Sequence, residues 1–138
     1  MSQIILKKIL GNAKHFSALL KQNEIKIIKI LCGYESMQVA RDEFNRSIDV
    51  LENLAENKSY FGKIIGGVGV FLPKNQPLYA FCCFAVIPSY QSERVSVWTP
   101  VVMRSVMKDL LVAIDQKSIY PNIHVCVHEE NRSEFLQK

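Results

Sequence analysis

The sequence has no apolar stretch long enough to span a bilayer. Its one extended uncharged run, Gln76 to Ser92, is short and broken by Pro88. No secretory leader is expected, because Ile4-Ile5-Leu6 gives way at once to Lys7-Lys8. Its four cysteines (Cys32, Cys82, Cys83 and Cys126) show no metal-binding spacing, and the adjacent pair sits in an apolar run. That usage reads as buried free thiols in a reducing compartment, so a soluble, cytoplasmic chain is expected. Internal repeats, low-complexity tracts and interdomain linkers are also missing. So is an even coat of positive charge. Residues 1–31 carry six lysines against one glutamate, which leaves the remainder slightly acidic within a net charge of +4. That distribution argues against a nucleic-acid partner and confines the basic character to one N-terminal segment. Peripheral attachment of that segment to an anionic surface is a weaker reading, since the same face can simply pack on the rest of the protein.

What is present is an ordinary globular composition, 49% hydrophobic and 22% charged over 138 residues, enough for one domain with its own core. The first third reads helical. Ile5, Ile9, Phe16 and Leu20 fall near one face, with a break expected at Gly11-Asn12. A second short segment runs from Glu24 to Leu31 and ends at Gly33; its β-branched residues leave helix and strand both open. Residues 36–57 give the clearest helix, with Met37, Ala40, Phe44, Ile48, Leu51 and Leu54 spaced by three or four. Ser36 is its expected N-cap and Asn57-Lys58-Ser59 its close. Residues 60–65 read as a connector.

The centre of the chain alternates. Val68, Val70 and Leu72 read as a short buried strand bounded by Gly66 and Pro73, residues 78–87 as a buried helix, and Val95 to Trp98 as a second strand. Pro100 suits the first turn of a further helix, whose stripe of Val101, Val102, Val106, Leu110, Leu111 and Ile114 extends to about Lys117. After the turn Tyr120-Pro-Asn122, residues Ile123, Val125 and Val127 alternate as a third strand, and another helix begins near Asn131. The expected architecture is α/β. A helical region (residues 1–60) precedes a βαβαβ segment (61–138), which forms half of a doubly wound, Rossmann-like parallel sheet in a single domain or fragment. Such a sheet has an open edge, so a second copy or a protein partner covering it is expected.

In this stretch the run Gly67-Val-Gly-Val-Phe-Leu-Pro-Lys-Asn-Gln-Pro-Leu78 resembles the Gly-Val-x-x-x-x-Pro-Trp-Asn-x-Pro signature of aldehyde dehydrogenases. Ala85-Val-Ile-Pro88 and Val95 to Pro100 are similar to that family's next helix and to its strand ending in Lys-Pro-Ser-Glu. The resemblance implies the N-terminal part of an NAD(P)-binding domain, with NAD or NADP as cofactor. It places Asn75 on the family's oxyanion-stabilising asparagine, and Phe71, Leu72, Pro73, Lys74, Asn75, Trp98 and Thr99 along the cofactor cleft. Three departures accompany it. Lys74 stands where the family has tryptophan, Trp98 or Thr99 where it has the cofactor-binding lysine, and the catalytic cysteine falls beyond Lys138. Cofactor affinity is therefore expected to be weak or absent, and the chain alone to be inactive.

Read from the residues alone, Asn75 either shapes the turn between two prolines or offers an amide N–H to developing negative charge. Gly67-Val-Gly69 lacks the third, helix-opening glycine of a dinucleotide fingerprint, and close packing around a buried strand is its expected cause. His124 and His128 lie about 13 Å apart along one strand face at ~3.3 Å per residue, too far to share a metal ion. No metal site is expected. His15 reads as solvent-facing and Glu129-Glu130 as a polar loop.

Overall fold

In a computed structural model of the protein, residues 3–56 and 65–127 are described. The expected closing residues 57–59, the connector up to residue 64, His128, Glu129-Glu130 and the helix near Asn131 lie outside them. Three helices come first: α1 (Gln3–Gln22), α2 (Glu24–Leu31) and α3 (Met37–Glu52). The expected break at Gly11-Asn12 does not occur; α1 runs through it, with Ile9, Ala13, Phe16 and Leu20 buried on both sides of the glycine. Burial of a continuous apolar face outweighs one unfavourable glycine in a helix of this length. Ser36 caps α3 by accepting a hydrogen bond from the Val39 N–H at 3.2 Å.

The sheet follows: β1 (Ile65–Phe71), β2 (Ser92–Trp98) and β3 (Ile123–Cys126), all parallel and in the order β1-β2-β3. Between β1 and β2 the chain winds through α4 (Pro77–Phe81), a π-helical segment (Cys82–Val86) and α5 (Ile87–Ser89). The widened turn has a local cause. Pro88 has no N–H for the carbonyl of Phe84 and its ring crowds that carbonyl. The Ile87 N–H reaches five residues back to Cys82 O. Between β2 and β3 lie a 3₁₀ turn (Val101–Met103), α6 (Arg104–Ala113) and α7 (Gln116–Ile119). The single helix expected to about Lys117 is thus broken, at Asp115, whose φ of 52° is left-handed. Val101 and Val102, expected in its buried stripe, are 70% and 61% exposed, because the 3₁₀ turn rotates them off the α6 face.

The α/β architecture with an open three-stranded parallel sheet is therefore present. The three described strands lie in chain order without a reversal, and one face of the sheet is covered. Burial follows that arrangement. Val95, Val97 and Ile123 are buried, and their register partners Val68, Val70 and Val125 are half-buried. The opposite face carries Gly67, Gly69, Phe71, Arg94 and His124, all exposed. The glycines accordingly do not mark a close approach: a Cβ on Gly67 or Gly69 meets nothing within 4 Å. The N-terminal helices dock on the connecting helices, α3 on α4 and the π segment and α2 on α6. Phe16 of α1 packs edge-on against Tyr120 at 5.1 Å. No helix among the described residues is long and apolar enough to cross a membrane.

Candidate functional site

Ligands of open parallel sheets sit beyond the carboxyl ends of the strands. Here β1 and β2 end together. Phe71 pairs with Trp98, and the Leu72 N–H extends the ladder to Trp98 O at 3.1 Å. Beyond that last rung, Pro73 and Pro100 release both chains from the sheet, since neither can donate to it. The divergence opens a cleft of about 330 Å³. Phe71, Leu72, Pro73, Lys74 and Trp98 all line it, and Pro100, Val101 and Val102 form the opposite rim. The Phe71 and Trp98 rings lie 5.7 Å apart at 48°, and the Arg104 guanidinium stands 5.7 Å from the Trp98 ring. An apolar wall with one aromatic pair and one exposed lysine suits a flat ring bearing negative charge.

Two of the expected cofactor residues are placed elsewhere. Thr99 shares the parity of Val95 and Val97, so its side chain turns inward. It is fully buried, with Oγ1 unpartnered, while its carbonyl accepts from Arg104 Nε at 3.1 Å. Asn75 lies in the bend after Pro73, exposed and outside the cleft lining, and its side chain makes no hydrogen bond among the described residues. Its amide therefore does not shape the turn. That work falls to α3 and the segment before it: the Tyr34 hydroxyl donates to the Lys74 carbonyl, and Arg46 donates to Gln76 Oε1.

The start of α4, directly after the turn, is already filled. Glu43 of α3 accepts from the Tyr79 N–H at 3.0 Å, and the Leu78 N–H also bonds its carboxyl group. An anionic ligand finds no free backbone donors there. Sequence reasoning missed Glu43, which reads as one more charge on the polar face of α3. Its position three residues after Ala40 and one before Phe44, at the border of the apolar stripe, was the signal available.

Burial pushes the Cys82 and Cys83 thiols up, and Cys32 Sγ contacts Met37 Sδ at 3.7 Å. Cys126 ends β3 in register with Trp98. Among the described residues no group of three or more His, Cys, Asp or Glu side chains gathers as a metal site. A separate cavity of about 390 Å³ opens near the amino ends of β2 and β3, where the Tyr90 and Tyr120 hydroxyls meet at 2.8 Å beside His15 and Asn122. No family model, no curated protein and no solved structure matches the chain.

Proposed function

We propose that the chain is the front of an aldehyde dehydrogenase-like, Rossmann-like nucleotide domain, and that its cleft takes the adenosine end of NAD or NADP without turnover. The observation that carries this reading is the gathering of Phe71, Leu72, Pro73, Lys74 and Trp98 in one cleft at the carboxyl ends of β1 and β2. The unbonded Asn75 amide beside it supports the oxyanion position, and the raised thiols of Cys82 and Cys83 support the absence of chemistry in this chain. Affinity comes from stacking and one cation. With the α4 amides occupied by Glu43, the cofactor's phosphates gain nothing there, and a dissociation constant of about 1 mM corresponds to the ~4 kcal/mol that such contacts supply.

Trp98 is the only tryptophan of the sequence, so its emission reports this cleft alone. Titration with NAD, NADP and adenosine monophosphate should give a saturable change in the millimolar range that Lys74→Ala and Phe71→Ala weaken. The same protein with cofactor and a panel of aldehydes should give no turnover above buffer. A Trp98 signal that no nucleotide moves would sink the reading, and turnover would show that the nucleophile has been misplaced.

A second reading is a non-catalytic assembly module built on the same scaffold. It is favoured by the groove of about 650 Å³ beside β3, where Leu111, Val112, Val125 and Val127 give an apolar floor along the free strand edge.

A further inference from the structure

The Pro73–Gln76 turn forms one wall of the cleft and is fastened from a single side. Tyr34 and Arg46 hold the turn itself, and the start of α4 directly after it is held by Glu43, whose side chain is wholly buried. One Glu43 oxygen, Oε2, takes the Tyr79 N–H. The other, Oε1, is buried with no donor, and so is Oε2 of Glu35, although the two side chains are hydrogen-bonding neighbours. Two ionised carboxylates cannot bond to each other. Two buried, undonated oxygens from different carboxyl groups need one hydrogen between them.

We propose that Glu35 and Glu43 hold a single shared proton, and that this proton is the latch fastening the start of α4, just after the Pro73–Gln76 turn, to the helical layer. With it, both oxygens are satisfied and the buried pair carries one charge. Without it, two like charges face each other out of water and the start of α4 loses its hold on α3. The latch is independent of what the cleft binds, and its test needs no ligand.

The surrounding charges leave the pair in control of the neutral range. Burial first, and then the bond to Glu35, raise Glu43 from the ordinary 4.5 to about 9. From the segment before α3, Tyr34 faces the pair. From the π segment comes Cys82, and both it and Tyr34 are raised above their ordinary values and so protonated below pH 8; the Tyr79 hydroxyl, Cys83 and Asp49 group with Arg46 beside them. Arg46, one turn along α3, is the nearby cation, 4.7 Å from the Tyr79 ring. The folded protein therefore keeps a proton that the unfolded chain gives up near pH 4.5. The pair's contribution is fully present below that pH and is lost as pH rises toward about 9. One linked proton raises the unfolding constant by up to about tenfold per pH unit across this window.

Glu43→Gln supplies the missing hydrogen permanently, its amide donating to Glu35 while its oxygen keeps the Tyr79 N–H; Glu35→Gln donates in the other direction. Denaturant unfolding of the full chain from pH 5 to 8 should show the steep rise in wild type and lose most of it in both variants. Over the same range, exchange protection of the Tyr79 amide, corrected for intrinsic rates, should fall relative to that of Val97 in wild type and hold steady in Glu43→Gln. A flat wild-type profile, a slope that survives in both variants, or a Tyr79 amide that tracks Val97 at every pH overturns the latch. If one variant fails to fold, the other decides.

Discussion

Thr99 and Asn75 stand close together in the resemblance and apart in the structure, and each has its own test. The Thr99 hydroxyl is buried with no partner, a condition that costs roughly 1–3 kcal/mol in a folded protein. Thr99→Val keeps the shape and removes the orphaned group. Thermal or denaturant melts should show stability unchanged or raised by about 1 kcal/mol; a loss of that size would mean the hydroxyl is bonded. Asn75, exposed and unbonded, should tolerate alanine within ~0.5 kcal/mol, as changes away from special features do. A larger loss would restore it to a turn-forming role and remove it from the oxyanion position. What separates Thr99 from Trp98 is strand parity. Alternation from Val95 through Val97 already puts Thr99 on the covered face and Trp98 on the other, so that much was legible in the sequence. Glu43 was not, because nothing in a helical pattern says that a carboxylate at the edge of the apolar stripe will meet the start of another helix.

At the scale of elements, periodicity located all three strands, the capped start of α3 and the buried helix after β1. It failed where a single residue leaves its usual conformation. Val106, Leu110 and Ile114 keep helical spacing up to Asp115, and no local signal announces the left-handed φ of 52° that separates α6 from α7. The break persists because Gln116, buried after it, donates to Tyr120 O at 2.8 Å and to Ile123 O at 2.9 Å, so that α7 is tied to the start of β3. A β-carbon in that conformation costs roughly 1–2 kcal/mol. Asp115→Gly should therefore stabilise the protein by ~0.5–1 kcal/mol once the flexibility of glycine in the unfolded chain is offset. Gln116→Ala should destabilise it by about 1–3 kcal/mol, since the Ile123 carbonyl loses this donor while the Tyr120 carbonyl keeps the Ile123 N–H. A melt in which Gln116→Ala is neutral would show that water replaces the amide and that the break has another cause.

For the whole molecule, the α/β class and the parallel sheet followed from the alternation of strands and helices, whereas the exposure of one sheet face did not. Gly67 and Gly69 looked like marks of close packing because a sequence does not say which face is covered. The same geometry bears on association. The Val95 N–H bonds to Asn122 O at 2.9 Å, which turns the backbone groups of residues 122, 124 and 126 toward β2 and those of Val125 outward. An outward rung beside an apolar groove is a template for one more strand. The expected occupant is a second copy of the chain, and sedimentation over a concentration series should show reversible self-association. Val125→Pro deletes the outward donor while leaving every β2–β3 bond in place, a substitution that edge strands accept. It should abolish the association and leave the Trp98 emission unchanged. A monodisperse wild-type monomer at every concentration would rule out pairing between copies, and association that survives Val125→Pro would move the contact to the glycine-bearing face of the sheet.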